Sequence, residues 1–182
     1  IGEIDKVDYA IHADTTHESI LTYRFAEKWK SWLEEHGVKV VTVINDQKVL
    51  QPLVNGMFVV DIPAYTRMPH SDGQIKRQCT RDWKIAPMRR WMQLAREGNP
   101  IELWLGISLD EFQRMKPSNV KYITHKWPLI DMKMTRKDCI EWLELHNLEV
   151  PSRSACTFCP YHNTNEWRHI KKTPEDWKEA VE

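Results

Sequence analysis

The sequence predicts an α/β fold in which helices flank a mainly parallel sheet. Three observations carry that expectation. Residues 7–13 are a short apolar run that stops at Asp14-Thr15-Thr16, residues 17–36 carry a helical apolar stripe, and residues 38–44 are β-branched. Strands that alternate with helices make a layered fold, and ligands of such sheets bind beyond the carboxyl ends of the strands.

The elements follow in order. The first strand, 7–13, reads as buried and runs into the loop Asp14-Thr15-Thr16-His17-Glu18. In the helix over 17–36 the stripe is Ile20, Tyr23, Ala26 or Glu27, Trp29 or Lys30, and Leu33, and Gly37 sits where a helix C′ residue belongs. Residues 38–44 are the second strand. Residues 50–64 are expected to hold a short helix and a short strand around Met57-Phe58-Val59-Val60, and 65–78 to form a loop. Thr80 is placed to cap a helix over 81–96, which Gly98-Asn99-Pro100 ends. Residues 101–107 form a further strand, and Ser108-Leu109-Asp110-Glu111 has capping-box spacing before a short helix. Residues 120–124 read as extended. Thr135-Arg136-Lys137-Asp138 and Asn163-Thr164-Asn165-Glu166 begin helices, as does Thr173-Pro174-Glu175-Asp176 with Pro in the first turn. No internal repeat is apparent. The expected division is an α/β domain over 1–127 and a small helical, cysteine-containing part over 128–182.

Composition narrows the function classes. The 182 residues are 41% hydrophobic and 29% charged, which suits a globular chain and not a disordered one. No apolar run is long enough for a membrane span and no signal peptide is visible, so a cytoplasmic protein without a membrane partner is expected. Lys plus Arg and Asp plus Glu both total 26, which rules out a globally basic nucleic-acid binder. Locally, Lys76, Arg77, Arg81, Lys84, Arg89 and Arg90 face only Asp82, an excess of five positive charges. That cluster is either a solvated helix face or a phosphate or sulfate site.

Four cysteines stand at 79, 139, 156 and 159. Cys156-Thr157-Phe158-Cys159-Pro160 is a CxxC in a loop, with His162 three residues beyond it. Two residues between thiols let both point at one centre, which serves zinc, an iron–sulfur cluster or a redox pair. Cys79 begins a helix inside the basic cluster, where a thiolate is favoured. Cys139 lies mid-helix and reads as packing. Cys79, Cys156 and Cys159 are therefore candidate metal ligands, with His162 or a non-protein group to complete the set. The eight His form no HExxH, and there is no GxSxG, so those hydrolase classes lack support. His17 is either a solvated helix-start residue or part of the site loop. Trp29, Trp32, Trp83, Trp91 and Trp142 read as core, whereas Trp167 and Trp177 lie among Lys and Arg and stay open to a stacking role.

Five segments, taken in order, resemble one family. They are Ala13-Asp14-Thr15; Arg77-Gln78-Cys79-Thr80-Arg81-Asp82-Trp83-Lys84-Ile85-Ala86-Pro87; Leu105-Gly106-Ile107-Ser108-Leu109-Asp110-Glu111; Trp127-Pro128-Leu129-Ile130-Asp131; and Cys156-Thr157-Phe158-Cys159-Pro160. Together they resemble the phosphoadenosine phosphosulfate (PAPS) reductase-like branch of the PP-loop ATP pyrophosphatases, whose fold is the adenine nucleotide alpha hydrolase-like type. The resemblance implies an adenine nucleotide, ATP or a sulfonucleotide, near Asp14, Thr15, Arg81, Lys84, Gly106 and Asp110. It implies an iron–sulfur cluster, with zinc the alternative, on Cys79, Cys156 and Cys159. The implied reaction adenylates a substrate or transfers sulfur, on a nucleic acid or a sulfonucleotide.

The sequence also departs from the family. Ser108 stands at its usual Arg, with Arg114 one helical turn on, and no further thiol follows Cys159. The family's SGGxxS loop and first strand are expected upstream of Asp14, and no Gly-Gly pair occurs. The chain is thus expected to be a fragment that begins at Ile1, or to take the strand and loop from a partner chain, with ATP turnover weak until they are restored. The alternative expectation is a catalytically silent, zinc-binding assembly module of a larger phage or defence complex.

Overall fold

A computed structural model describes residues 5–45, 63, 65–68, 71–74 and 78–181. In chain order the elements are β1 (Tyr9–Asp14), α1 (Ile20–Glu35), β2 (Lys39–Ile44), β3 (Tyr65–Met68), β4 (Ser71–Gln74), a π-helical segment (Thr80–Ile85) and α2 (Ala86–Ala95). They continue with β5 (Ile101–Trp104), a 3-10 segment (Leu109–Arg114), β6 (Ile123–Lys126), α3 (Pro128–Asp131), α4 (Arg136–Leu145), α5 (Thr164–Lys172) and α6 (Pro174–Val181). The chain is mixed α/β with small parallel sheets. Among the described residues β1 pairs with β2 in parallel, β5 with β6 in parallel, and β3 with β4 antiparallel. No helix among them is long and apolar enough to cross a membrane. The elements expected within 50–62 and the cations Lys76 and Arg77 lie outside the described residues.

Two compact units emerge, Val7–Trp91 with Ser152–Glu182, and Ile1–Lys6 with Met92–Pro151, so the boundary falls inside α2. In the first unit β1 and β2 run in register from Tyr9↔Lys39 to Asp14↔Ile44. The helix between them starts later than the apolar stripe suggests. Glu18 makes an antiparallel bridge with Cys156, and the Thr157 N–H donates to the His17 carbonyl at 2.8 Å. Extended backbone there postpones the helix to Ser19, whose hydroxyl accepts from the Thr22 N–H. The helix closes with a Schellman motif, Val38 N–H to Leu33 carbonyl and Gly37 N–H to Glu34 carbonyl, both 2.9 Å. Gly37 takes the left-handed φ of 75° this motif requires.

Two expectations in this unit are corrected. Residues 65–78 are not all loop, because 65–68 and 71–74 form the β3–β4 hairpin. Its strands lack apolar alternation, so the backbone ladder leaves no hydrophobic signal. The helix expected over 81–96 is divided. Cys79 already has helical dihedrals and Thr80 provides no cap; Thr80–Ile85 is π-helical, with the Ala86 N–H reaching the Arg81 carbonyl. Pro87 has no N–H to return to the Trp83 carbonyl, which is a physical reason for the wider turn before it. Among the described residues the buried apolar side chains of the unit are few: Val38, Val43, Trp83 and Ile170.

In the second unit β5 and β6 pair from Ile101↔Ile123 to Trp104↔Lys126. The extended segment expected at 120–124 thus forms slightly later, and Met92 and Ile123 are buried. The capping box expected at Thr135 forms, its hydroxyl accepting from the Asp138 N–H while Asp138 takes the Thr135 N–H. The spacing at Ser108 gives only a 3-10 turn, because the Ser108 hydroxyl donates to Asp110 instead of accepting from the helix. α4 ends as α1 does, with Leu148 N–H on the Leu143 carbonyl and Asn147 at a φ of 53°.

Candidate functional site

The first unit gathers buried polar side chains at the carboxyl end of β1. Asp14 closes the strand, its carboxylate accepting the Thr16 N–H at 2.7 Å and the Tyr23 hydroxyl at 3.0 Å. Burial, with the Asp14 charge, holds the Tyr23 phenol well above its ordinary range, so it remains a donor. Thr16 sits at a φ of 62°. A β-branched residue there is a true backbone outlier, and such strain concentrates at functional loops.

Glu18 lies at the centre, with its side chain only 2% exposed. Its carboxylate accepts from Lys84 Nζ at 3.1 Å, Ser154 Oγ at 2.9 Å and, more weakly, Thr15 Oγ1 at 3.4 Å. The same Thr15 hydroxyl meets Cys156 Sγ at 3.3 Å. Burial pushes the Cys156 thiol up to about 11; Glu18 presses the same way, and the Thr15 hydroxyl and the Lys84 ammonium oppose it. A thiol with that value holds its proton at neutral pH, and ligating a metal would require it to leave.

A second cluster adjoins the bridge between residues 18 and 156. His17 Nδ1 stands 2.7 Å from Glu179 Oε1, and the buried Thr157 hydroxyl donates to Glu179 Oε2 at 3.0 Å. The His17 ring lies against Trp83 and Phe158, with centroids 5.3 and 5.1 Å away. A carboxylate on Nδ1 favours the Nδ1–H tautomer and leaves Nε2 as the basic nitrogen. Asp176, buried in α6, accepts the Ile20 N–H at 3.0 Å and fixes the start of α1.

The residues named from sequence are therefore only partly brought together. Thr15, Lys84 and Cys156 meet through Glu18, and Asp14 stands on the same loop. Arg81 is exposed and turns its guanidinium onto its neighbour Asp82, Nε to Oδ1 at 2.7 Å, and onto Gln78 at 2.9 Å. Cys159 donates its N–H to the Cys156 carbonyl, and His162 places Nε2 2.8 Å from that same carbonyl. His162 Nδ1 faces Glu166 at 3.5 Å. Cys79 is half-buried at the start of the π-helical segment. Among the described residues no three His, Cys, Asp or Glu side chains are placed to share one metal ion.

Gly106 and Asp110 belong to the second unit. Gly106 is exposed, and a Cβ there would meet nothing within 4 Å. Asp110 accepts the Ser108 hydroxyl at 3.0 Å and the Arg136 N–H at 2.7 Å, which makes it a cap for α4.

Compared with known proteins, this chain matches no family model, no curated protein and no solved structure. Its own geometry is thus the guide to what it does. Sequence reasoning missed Glu18 as a centre, along with Ser154 and Glu179. Glu18 and Glu179 stand in ordinary helix-flank contexts, and all their partners but Thr15 lie 22 to 162 residues away along the chain. The local hint was that Glu18 is the last residue of the loop Asp14-Thr15-Thr16-His17-Glu18.

Proposed function

We propose that this chain is a nucleotide-dependent enzyme of the PAPS reductase-like, PP-loop type, on an adenine nucleotide alpha hydrolase-like fold. Its substrate is a nucleic acid or a sulfonucleotide. The observation that carries the reading is the convergence of Thr15, Glu18, Lys84, Ser154 and Cys156 at the carboxyl end of a strand in a parallel pair. That is where ligands of such sheets bind, and a buried charge cluster in that place is costly to desolvate. The nucleotide lies against Asp14, Thr15, Arg81 and Lys84, whose cations neutralise charge that grows on phosphate or sulfate oxygens. His17, oriented by Glu179, carries a proton through Nε2. Cys79, Cys156 and Cys159 are the thiols that would hold an iron–sulfur cluster, which supplies an open iron for sulfur or electrons. A partner chain supplies the strand and the phosphate-cradling loop.

A second reading, a zinc-binding assembly module using Cys79, Cys156, Cys159 and His162, rests on its own observation. Lys84 is already paired with Glu18, and Arg81 with Asp82. One experiment separates the two readings: equilibrium dialysis of labelled ATP and PAPS against anaerobically purified protein, with iron, sulfide and zinc analysis of the same sample. The enzyme reading expects nucleotide binding that falls at least tenfold in Lys84→Gln, with iron and sulfide present. Stoichiometric zinc with no nucleotide binding would leave the module.

A further inference from the structure

The last two helices carry a groove that the proposed site does not use. Its volume is about 430 Å³, and it is lined by Trp167, Arg168, Lys171, Trp177 and Val181, among others. Three carboxylates of these helices are engaged elsewhere, and Glu175, exposed in the first turn of α6, does not line the groove. Glu166 holds Arg153 and the N-terminal cap of α5, Asp176 accepts the Ile20 N–H, and Glu179 takes His17 and Thr157. The cations do the opposite, for Arg168, Lys171 and Lys172 are exposed. Lys171 Nζ sits 5.7 Å from the centre of the Trp177 ring, which is 37% exposed. The Trp167 ring is set edge-on against His162 at 5.1 Å and forms a fixed wall. On a chain with no net charge, one small surface thus combines two indoles with two cations, and among the described residues no carboxylate lines it.

We infer that this groove binds single-stranded nucleic acid. An unstacked base lies against Trp177, and the flanking phosphates are met by Arg168 and Lys171. An indole offers a stacking face to any base, and cations along its rim follow the backbone. An acidic peptide would use the cations but leave the indole without a partner. A duplex keeps its bases stacked on one another and has no free base to insert.

The test is fluorescence anisotropy with a labelled single-stranded oligodeoxynucleotide of roughly twelve nucleotides, a size within the span of such sites. Trp177→Ala should weaken binding about tenfold or more, and Trp177→Phe should retain most of it. Arg168→Gln with Lys171→Gln, both at exposed positions and so safe for folding, should also weaken binding and flatten its dependence on salt. Failure to bind the oligonucleotide, or equal binding by all these variants, would overturn the inference. So would tighter binding of the matching duplex, of free dAMP or of a poly-glutamate peptide. Because Lys84 and Glu18 take no part, Lys84→Gln should leave this binding unchanged, so its failure is separable from failure of the nucleotide site.

Discussion

Both parallel strand pairs end in a loop that leads into a helical segment, yet the two loops treat charge in opposite ways. After β1, the Glu18 carboxylate is buried and held by Lys84, Ser154 and Thr15, beside a cysteine whose thiol is forced to stay protonated. After β5, the carboxylate of Asp110 stays exposed and is spent on Ser108 and the first N–H of α4. The second arrangement is what a chain needs to start a helix. The first is expensive, because a carboxylate taken out of water must recover its solvation from a few fixed partners. Strain at Thr16 and the oriented His17 imidazole occur at that same end. The difference is why the proposed site is put at the β1 loop and not at the β5 loop.

The comparison can be broken by removing one partner at each end. Lys84→Met leaves Glu18 buried without its cation and should destabilise the protein by about 3 kcal/mol, somewhat less than a fully buried pair because Lys84 is a third exposed. Urea denaturation reads this, and adding Glu18→Gln should recover much of the loss. An unchanged midpoint would mean that Glu18 is solvated after all.

The next effect depends on pH. The folded Cys156 thiol titrates near 11 against its ordinary 9. In protein free of metal and cluster, both folded and unfolded chains hold that proton below pH 9. Between 9 and 11 only the folded chain does, so stability falls as pH rises, by about 2 kcal/mol across that window. Cys156→Ser should flatten the alkaline limb. At neutral pH, iodoacetamide should label Cys156 far more slowly than a free thiol, which peptide mass mapping can follow.

Smaller changes sharpen the contrast. Asp110→Ala should cost about 1 kcal/mol, the price of a helix cap, and leave ATP binding untouched. Thr16→Gly relieves a left-handed φ that glycine adopts freely, and should raise the unfolding free energy from urea titration by well under ~1 kcal/mol while loosening the site loop.

What could be read from the sequence follows the range of the interactions. The Thr135 and Asn163 capping boxes, the glycine after α1 and the proline that opens α6 were legible because cap and helix are neighbours in the chain. The β3–β4 hairpin was not, since a backbone ladder needs no particular side chains. The π-helical turn left one trace, Pro87, inside an otherwise continuous helical pattern. Of the site, the loop at Asp14 and Thr15 and the cation Lys84 were legible by type and position. Glu18 was legible as the end of that loop but not as their common partner, because only tertiary folding brings Lys84 and Ser154 onto it.

The most direct measurement is a map of amide chemical shifts in the presence of ATP. The account predicts that ATP perturbs residues 14–18, 81–84 and 154–157 and leaves 106–110 and 135–138 in place. Shifts centred on Gly106 and Asp110, or none anywhere, would contradict it.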